Sequence, residues 1–215
     1  MKQTSLMSVA LAAVLGFTAP MTAKADSSMS FFVTSVGMGN GADLGGLEGA
    51  DGHCAKLAEA AGSEGKTWRA YLSTWYSDKR GISARDRIGQ GPWYNAKGVM
   101  IAADLDTLHI SPNIVKKTAL DEKGNLVKGR GDKPNEHDIL TGTRDDGTAW
   151  FPWQEGDHTC SNWTSSGEGS AAVGHHDRHG GGNISWNNAH KTRGCSQEAL
   201  QKTGGAGLFY CFAAN

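Results

Sequence analysis

The sequence predicts an α+β fold: a mainly antiparallel sheet with one or two helices, long loops and two disulfides. Three observations lead to it. Apolar segments run in the order strand, helix, strand, long polar stretch, closing strand, the order in which helices gather on one side of an antiparallel sheet. Glycine supplies 30 of the 215 residues, about twice the usual share, so turns are frequent. Four cysteines, Cys54, Cys160, Cys195 and Cys211, follow an apolar leader, and an even set in that context implies pairing in an oxidising compartment.

The leader is residues 1–25. Lys2 precedes an apolar run over 6–17, and Ala23-Lys24-Ala25 forms a small-x-small cleavage pattern, so the segment reads as a secretory signal peptide. The run is too short to span a bilayer without its flanks, and no other segment is suited to do so. The expectation is one domain over 26–215, secreted, and either periplasmic or extracellular. Lys2 and Lys24 leave with the leader, so 19 basic residues remain against 22 acidic ones. That balance argues against nucleic acid as a partner.

Taken in order, residues 30–35 (SFFVTS) are β-branched and aromatic and predict a first strand. Six glycines over 37–49 predict a surface loop. A helix follows, with Asp51 as its N-cap, Cys54, Leu57, Ala58 and Ala61 at helical spacing, and Gly62 beyond its end. Residues 67–73 alternate, with Trp68, Ala70 and Leu72 on one side and Arg69 and Tyr71 on the other, as in a half-buried strand. A short helix is expected over 83–88, a turn at Gly91-Pro92, and over 98–103 a strand buried on both faces. Residues 104–148 are polar and broken by glycine and proline, which predicts long loops with a hairpin near 122–125. Residues 208–213 (LFYCFA) predict the closing core strand.

The region from Trp150 onward holds three of the four cysteines, four of the seven tryptophans and five of the eight histidines. Such a stapled, loop-rich region suits binding. Cysteine spacing alone leaves three pairings open, and the lack of a C-x-x-C pair gives no zinc pattern.

The segments GGLEGADGHCAKLAEAAG and KTWRAYLST, followed much later by CSNWTSS, GCS and LFYCF, resemble endostatin-like members of the C-type lectin-like domain family. ARDRIGQGPWYNAKGVMIA and SWNNAHKTRGCS are likewise similar to bacterial secreted proteins labelled lectins. The resemblance covers both ends of residues 26–215. It implies a C-type lectin-like fold with nested disulfides, Cys54–Cys211 and Cys160–Cys195, and a ligand face made of long loops. Sugar-binding members of that family hold calcium through a Glu-Pro-Asn motif and a later Trp-Asn-Asp motif. Here Lys133-Pro134-Asn135 and Trp186-Asn187-Asn188 stand in that order, each lacking one acid. Calcium binding weakens as carboxylates are lost. Asp132, Glu136, Asp138, Asp145 and Asp146 lie near enough in sequence to replace them.

What the resemblance implies is a secreted, non-catalytic carbohydrate-binding protein. Its contacts would come from Asn135, Glu136, Asp138, Trp186, Asn187 and Asn188, with calcium on Asn135, Glu136, Asp138 and Asn188. Its partner is then a carbohydrate or another cell-surface ligand. Trp163 and Trp186, close to Cys160 and Cys195, are expected to pack around the second disulfide, leaving Trp150 and Trp153 as the exposed indoles. The alternative is a structural or adhesion protein that kept the scaffold without the sugar site. A third reading is a metal-dependent enzyme centred on His175, His176 and His179, whose residue types suit zinc but whose glycine-rich setting gives them no helix to fix their directions.

Overall fold

A computed structural model describes Met1 and residues 28–154, 156–181 and 184–214. The expected signal peptide, apart from Met1, lies outside the described residues. The described chain is a mixed α+β structure with few helices. The longest strand, β8 (Gly205–Ala213), pairs antiparallel with β1 (Phe31–Val33) and β2 (Trp68–Ala70) and parallel with β5 (Asp138–Leu140). Beyond β5 the sheet continues through β6 (Ala172–His175) to β7 (His190–Lys191), while β3 (Trp93–Tyr94) and β4 (Met100–Ala102) form a separate ribbon.

Both faces of this sheet are covered. Alternation along β8 sends Phe209, Cys211 and Ala213 into one core, against helix α1 (Gly46–Ala60), and Leu208, Tyr210 and Phe212 into the other. The second core contains Trp93, Ile101, Ile139 and Trp186. Tyr71 also lies there, fully buried: its amide donates to the Tyr210 carbonyl at 2.9 Å, so the alternation that sends Trp68, Ala70 and Leu72 into the first core carries Tyr71 to the opposite face, where a second core covers it. The strand expected to be half-buried is therefore covered on that side as well at Tyr71.

Helix α1 starts before the expected cap. Its N-cap is Gly45, in a left-handed conformation, and the glycine-rich segment forms the first turn. A side chain at Gly49 would collide with the Leu44 carbonyl, so the close approach that starts the helix requires glycine there. Asp51 sits inside the helix, buried. It accepts hydrogen bonds from the Ala70 amide at 2.9 Å, Arg69 Nη1 at 2.8 Å and Arg87 Nη2 at 2.7 and 2.9 Å. This carboxylate therefore ties α1 to β2 and to the 3₁₀ turn Ala84–Arg87, the form taken by the expected short helix.

The strand expected to be buried on both faces is β4, and it is half-buried: Val99 and Met100 are exposed while Ile101 and Ala102 face the core. The polar stretch contains a short helix α2 (Leu105–Ile110), capped by Asp104, whose carboxylate accepts the Thr107 amide at 2.7 Å. The hairpin near 122–125 is present as a single antiparallel bridge, Leu120 to Leu126.

Both disulfides take the nested pairing: Cys54 of α1 with Cys211 of β8, and Cys160 with Cys195, just ahead of α4 (Gln197–Thr203). The first closes a separation of 157 residues. Replacing Cys54 and Cys211 together by alanine should lower unfolding free energy by about 5 kcal/mol on a loop-entropy basis. Urea denaturation of the double variant beside the parent protein measures this, and a loss under about 1 kcal/mol would contradict it.

Candidate functional site

The register of three adjacent strands gathers a histidine and aspartate cluster. Asp138 of β5 lies opposite His175 of β6, and Val173 of β6 lies opposite His190 of β7. Opposed residues share a face, as do residues two apart along a strand, so Asp138, His175 and His190 project together. His137 precedes the ladder, and its ring reaches the same carboxylate. The Nε2 atoms of His137, His175 and His190 each lie 3.2 Å from Asp138 Oδ1. The rings of His137 and His175 stack at 4.1 Å, and that of His190 meets His175 edge-on at 5.0 Å.

The Asp138 side chain is 1% exposed and that of His190 is 38% exposed, so the cluster opens to solvent through His190. Burial works against ionisation of Asp138, but the surrounding imidazoles outweigh it and hold its carboxyl below the usual range. The same contact raises the His190 imidazole above its ordinary value, against a smaller opposing effect of burial. His176, the next residue after β6, turns elsewhere: its Nε2 donates to the Lys128 carbonyl at 3.0 Å, and burial depresses its pKa. His179 lies by Arg130 Nη1 at 3.3 Å. Of the three histidines grouped from sequence, only His175 belongs to the cluster, because successive positions leaving the strand point in different directions.

The residues expected to hold calcium and sugar are spread over separate surroundings. Asp138 is in the imidazole cluster. The Asn135 amide lies against Gly204, and Glu136 borders a cleft with Ser35, Val36, Gln197 and Leu208. Trp186 is buried, its ring 4.7 Å from Tyr71 and 5.3 Å from Tyr210. Asn187 is buried too, with Nδ2 donating to Tyr71 Oη at 3.2 Å, the Arg144 carbonyl at 3.2 Å and the Asp145 carbonyl at 3.0 Å. Asn188 alone of this tripeptide borders an open cleft. The segment 185–187 runs across β6, where a side chain at Gly174 would collide with the Trp186 carbonyl, and that crossing turns Trp186 and Asn187 inward.

The open cleft has a volume of about 320 Å³ and is bounded by Arg144, Asp145, Asp146, Trp150, Gln154 and Asn188. Burial opposes ionisation of Asp146, but hydrogen bonds from the Thr148 hydroxyl at 2.6 Å and amide at 3.0 Å prevail and keep it below the usual carboxylate range. In the same loop Trp153 is 79% exposed and stacks on Phe151 at 4.8 Å, with planes 12° apart. The guanidinium groups of Arg80 and Arg144 lie 4.4 and 5.3 Å from the Phe151 ring. Trp163, by contrast, is fully buried, as the sequence led one to expect.

The loop is anchored at its C-terminal end by an unusual turn. The single turn α3 (Cys160–Trp163) has positive φ at all four residues, from 49° to 67°, and is therefore left-handed. That conformation costs about 1–2 kcal/mol per non-glycine residue, so it persists only where neighbours enforce it. Asp157 accepts the Ser161 and Thr159 amides, each at 2.7 Å; Asn162 Oδ1 accepts the Trp75 amide at 2.7 Å; and Trp163 Nε1 donates to the Ser73 carbonyl at 2.8 Å. None of the four residues is glycine, so their left-handedness was not legible from residue type.

No protein-family model and no curated protein matches this sequence.

Two outcomes follow for the buried network behind the cleft. Asn187→Ala should cost about 2 kcal/mol in urea denaturation, because it strips two carbonyls and the Tyr71 hydroxyl of a shared donor. In the same network Tyr71 Oη and His109 Nε2 lie 2.7 Å apart, and His109 Nδ1 lies 2.7 Å from the Leu105 carbonyl, which can only accept. His109 is thus neutral and takes its Nε2 hydrogen bond from Tyr71. Burial, the main cause, lowers its pKa from 6.5. Above that value the unfolded imidazole is neutral as well and no penalty arises. As pH falls below it, the unfolded chain takes up the proton first and stability drops until the lower folded pKa is passed. His109→Gln should flatten the fall in urea midpoint between pH 7.5 and 5.5, roughly one pH unit either side of the free value; an unchanged slope would show that His109 does not titrate in this way.

Proposed function

We propose that the chain is a non-catalytic carbohydrate-binding module of C-type lectin-like fold. Its binding face is the cleft bounded by Arg144, Asp145, Asp146, Trp150, Gln154 and Asn188, with Trp153 in the adjoining loop. The observation that carries this reading is the Trp153 indole, mostly exposed yet held flat on Phe151. A rigid aromatic plane matches the apolar C–H face of a sugar ring, and it loses little entropy on binding. Donors and acceptors on the cleft walls then suit hydroxyl groups, which need both.

The fold assignment draws support from the nested disulfides and from the pairing of the first strand with the last. Calcium is not required in this reading. Arg144 brings a fixed positive charge into the cleft, and Asp146 Oδ2 lies 3.9 Å from its Nη1. Arg80, Arg144 and Lys191, whose Nζ lies 5.6 Å from the Trp150 ring centroid, stand beside Asp145 and Asp146, so the face carries both signs of charge, which favours neutral sugars over strongly anionic ones.

A glycan array run with and without a calcium-selective chelator provides the test. The expected result is binding to a restricted set of neutral glycans, unchanged by chelation and reduced at least tenfold by Trp153→Ala. Absence of binding to any glycan would remove the sugar reading. Capture of an envelope protein in a manner insensitive to competing sugars would favour the adhesion alternative.

A further inference from the structure

We infer that His137, Asp138 and His175 form a three-donor site for a divalent transition-metal ion of the zinc class, with His190 beside it on the same carboxylate. This site is separate from the sugar-binding cleft, and the inference does not rest on that reading.

The first argument is the hydrogen-bond bookkeeping of the rings. His190 Nδ1 lies 3.2 Å from the Lys191 carbonyl, which can only accept, so the proton is on Nδ1. His137 Nδ1 lies 3.2 Å from Asp177 Oδ1, again an acceptor, which places a proton on that nitrogen too. In the neutral form of either ring, Nε2 therefore carries a lone pair, and that lone pair is 3.2 Å from a carboxylate oxygen. Among the described residues neither Asp138 oxygen receives an aligned hydrogen bond, so these rings crowd a buried carboxylate without pairing with it squarely, a setting that suits a cation. One divalent ion can be shared by His137, Asp138 and His175.

The second argument is metrical. Tetrahedral zinc with bonds of about 2.0–2.1 Å has donor-to-donor edges of about 3.3–3.4 Å. The His137 and His175 Nε2 atoms each lie 3.2 Å from Asp138 Oδ1. One donor each from His137, Asp138 and His175 falls within a mutual span of 4.8 Å. The third argument lies outside the donor set. Metal-binding histidines characteristically give their other ring N–H to a carboxylate or a backbone carbonyl, which fixes the tautomer and aims the lone pair. Asp177 does this for His137. Two imidazoles with one carboxylate form a borderline-hard set, suited to zinc and its neighbours and unlike the all-oxygen shell of calcium. Seating the ion needs one of the stacked rings, His137 or His175, to turn so that both lone pairs meet a common point.

Titration of chelator-treated protein with Co(II) tests the site. The expected result is the visible absorption of tetrahedral cobalt, saturating at one equivalent and displaced by zinc. Asp138→Asn and His175→Ala should abolish the band, Asp177→Asn should weaken affinity by about 10- to 100-fold, and His179→Ala should leave it unchanged. Circular dichroism and intact disulfides establish that each variant is folded. Should Asp138→Asn not fold, His137→Gln takes its place with the same expected loss. No saturable band in the parent protein, or a band that survives His175→Ala and His137→Gln, overturns the inference.

Discussion

The polar end of this molecule depends on how three residues, Asp138, Ile139 and Leu140, are held between two other strands. β5 lies parallel to β8 on one side and antiparallel to β6 on the other. Ile139 and Leu140 are locked into opposite cores. Those two apolar side chains decide the register, and the register leaves Asp138 nowhere to go except against His175. A slip of one residue would exchange the faces, putting Leu140 where Ile139 packs and turning Asp138 away from the imidazoles. The polar cluster is thus a consequence of apolar packing one and two residues along the chain.

That packing needs the rest of the scaffold to stay in place. β8 pairs with β1, β2 and β5 and is bonded through Cys211 to α1, so the first and last parts of the fold are one unit. Asp51 adds a second tie between α1 and β2, using a buried carboxylate whose removal would leave Arg87 unpaired in the interior. The Cys160–Cys195 bond and the left-handed turn at 160–163 anchor the other end. Between these anchors lies the loop that displays Trp153. Both candidate sites are therefore parts of short or irregular backbone made rigid by covalent and buried polar ties.

Much of the scaffold was legible in the residues. The strands expected over 30–35, 67–73 and 208–213 appear at 31–33, 68–70 and 205–213, and they, the helix carrying Cys54 and the exposure of Trp153 follow from periodicity or from turn chemistry, while Trp150, expected exposed beside Trp153, is half-buried. β5, β6 and β7 were not, because strands of two to four residues have no measurable alternation and owe their form to neighbours distant in sequence. Asp138 was singled out for the wrong neighbours: Asn135 and Glu136 are close in sequence, whereas its partners come from strands 37 and 52 residues away. His137 gave no signal of its own. Trp186 and Asn187 resemble ligand residues in sequence and are core residues in space, since Gly174 lets their segment cross β6 at close range.

The central claim is that this register brings the imidazoles of His137 and His175 and the Asp138 carboxylate within reach of one ion. X-ray absorption at the zinc edge, on the zinc-loaded parent protein, addresses it most directly. The account predicts a nitrogen and oxygen shell at about 2.0–2.1 Å with the outer-ring scattering of two imidazoles. A shell made of oxygens alone, or one containing fewer than two imidazoles, would contradict it.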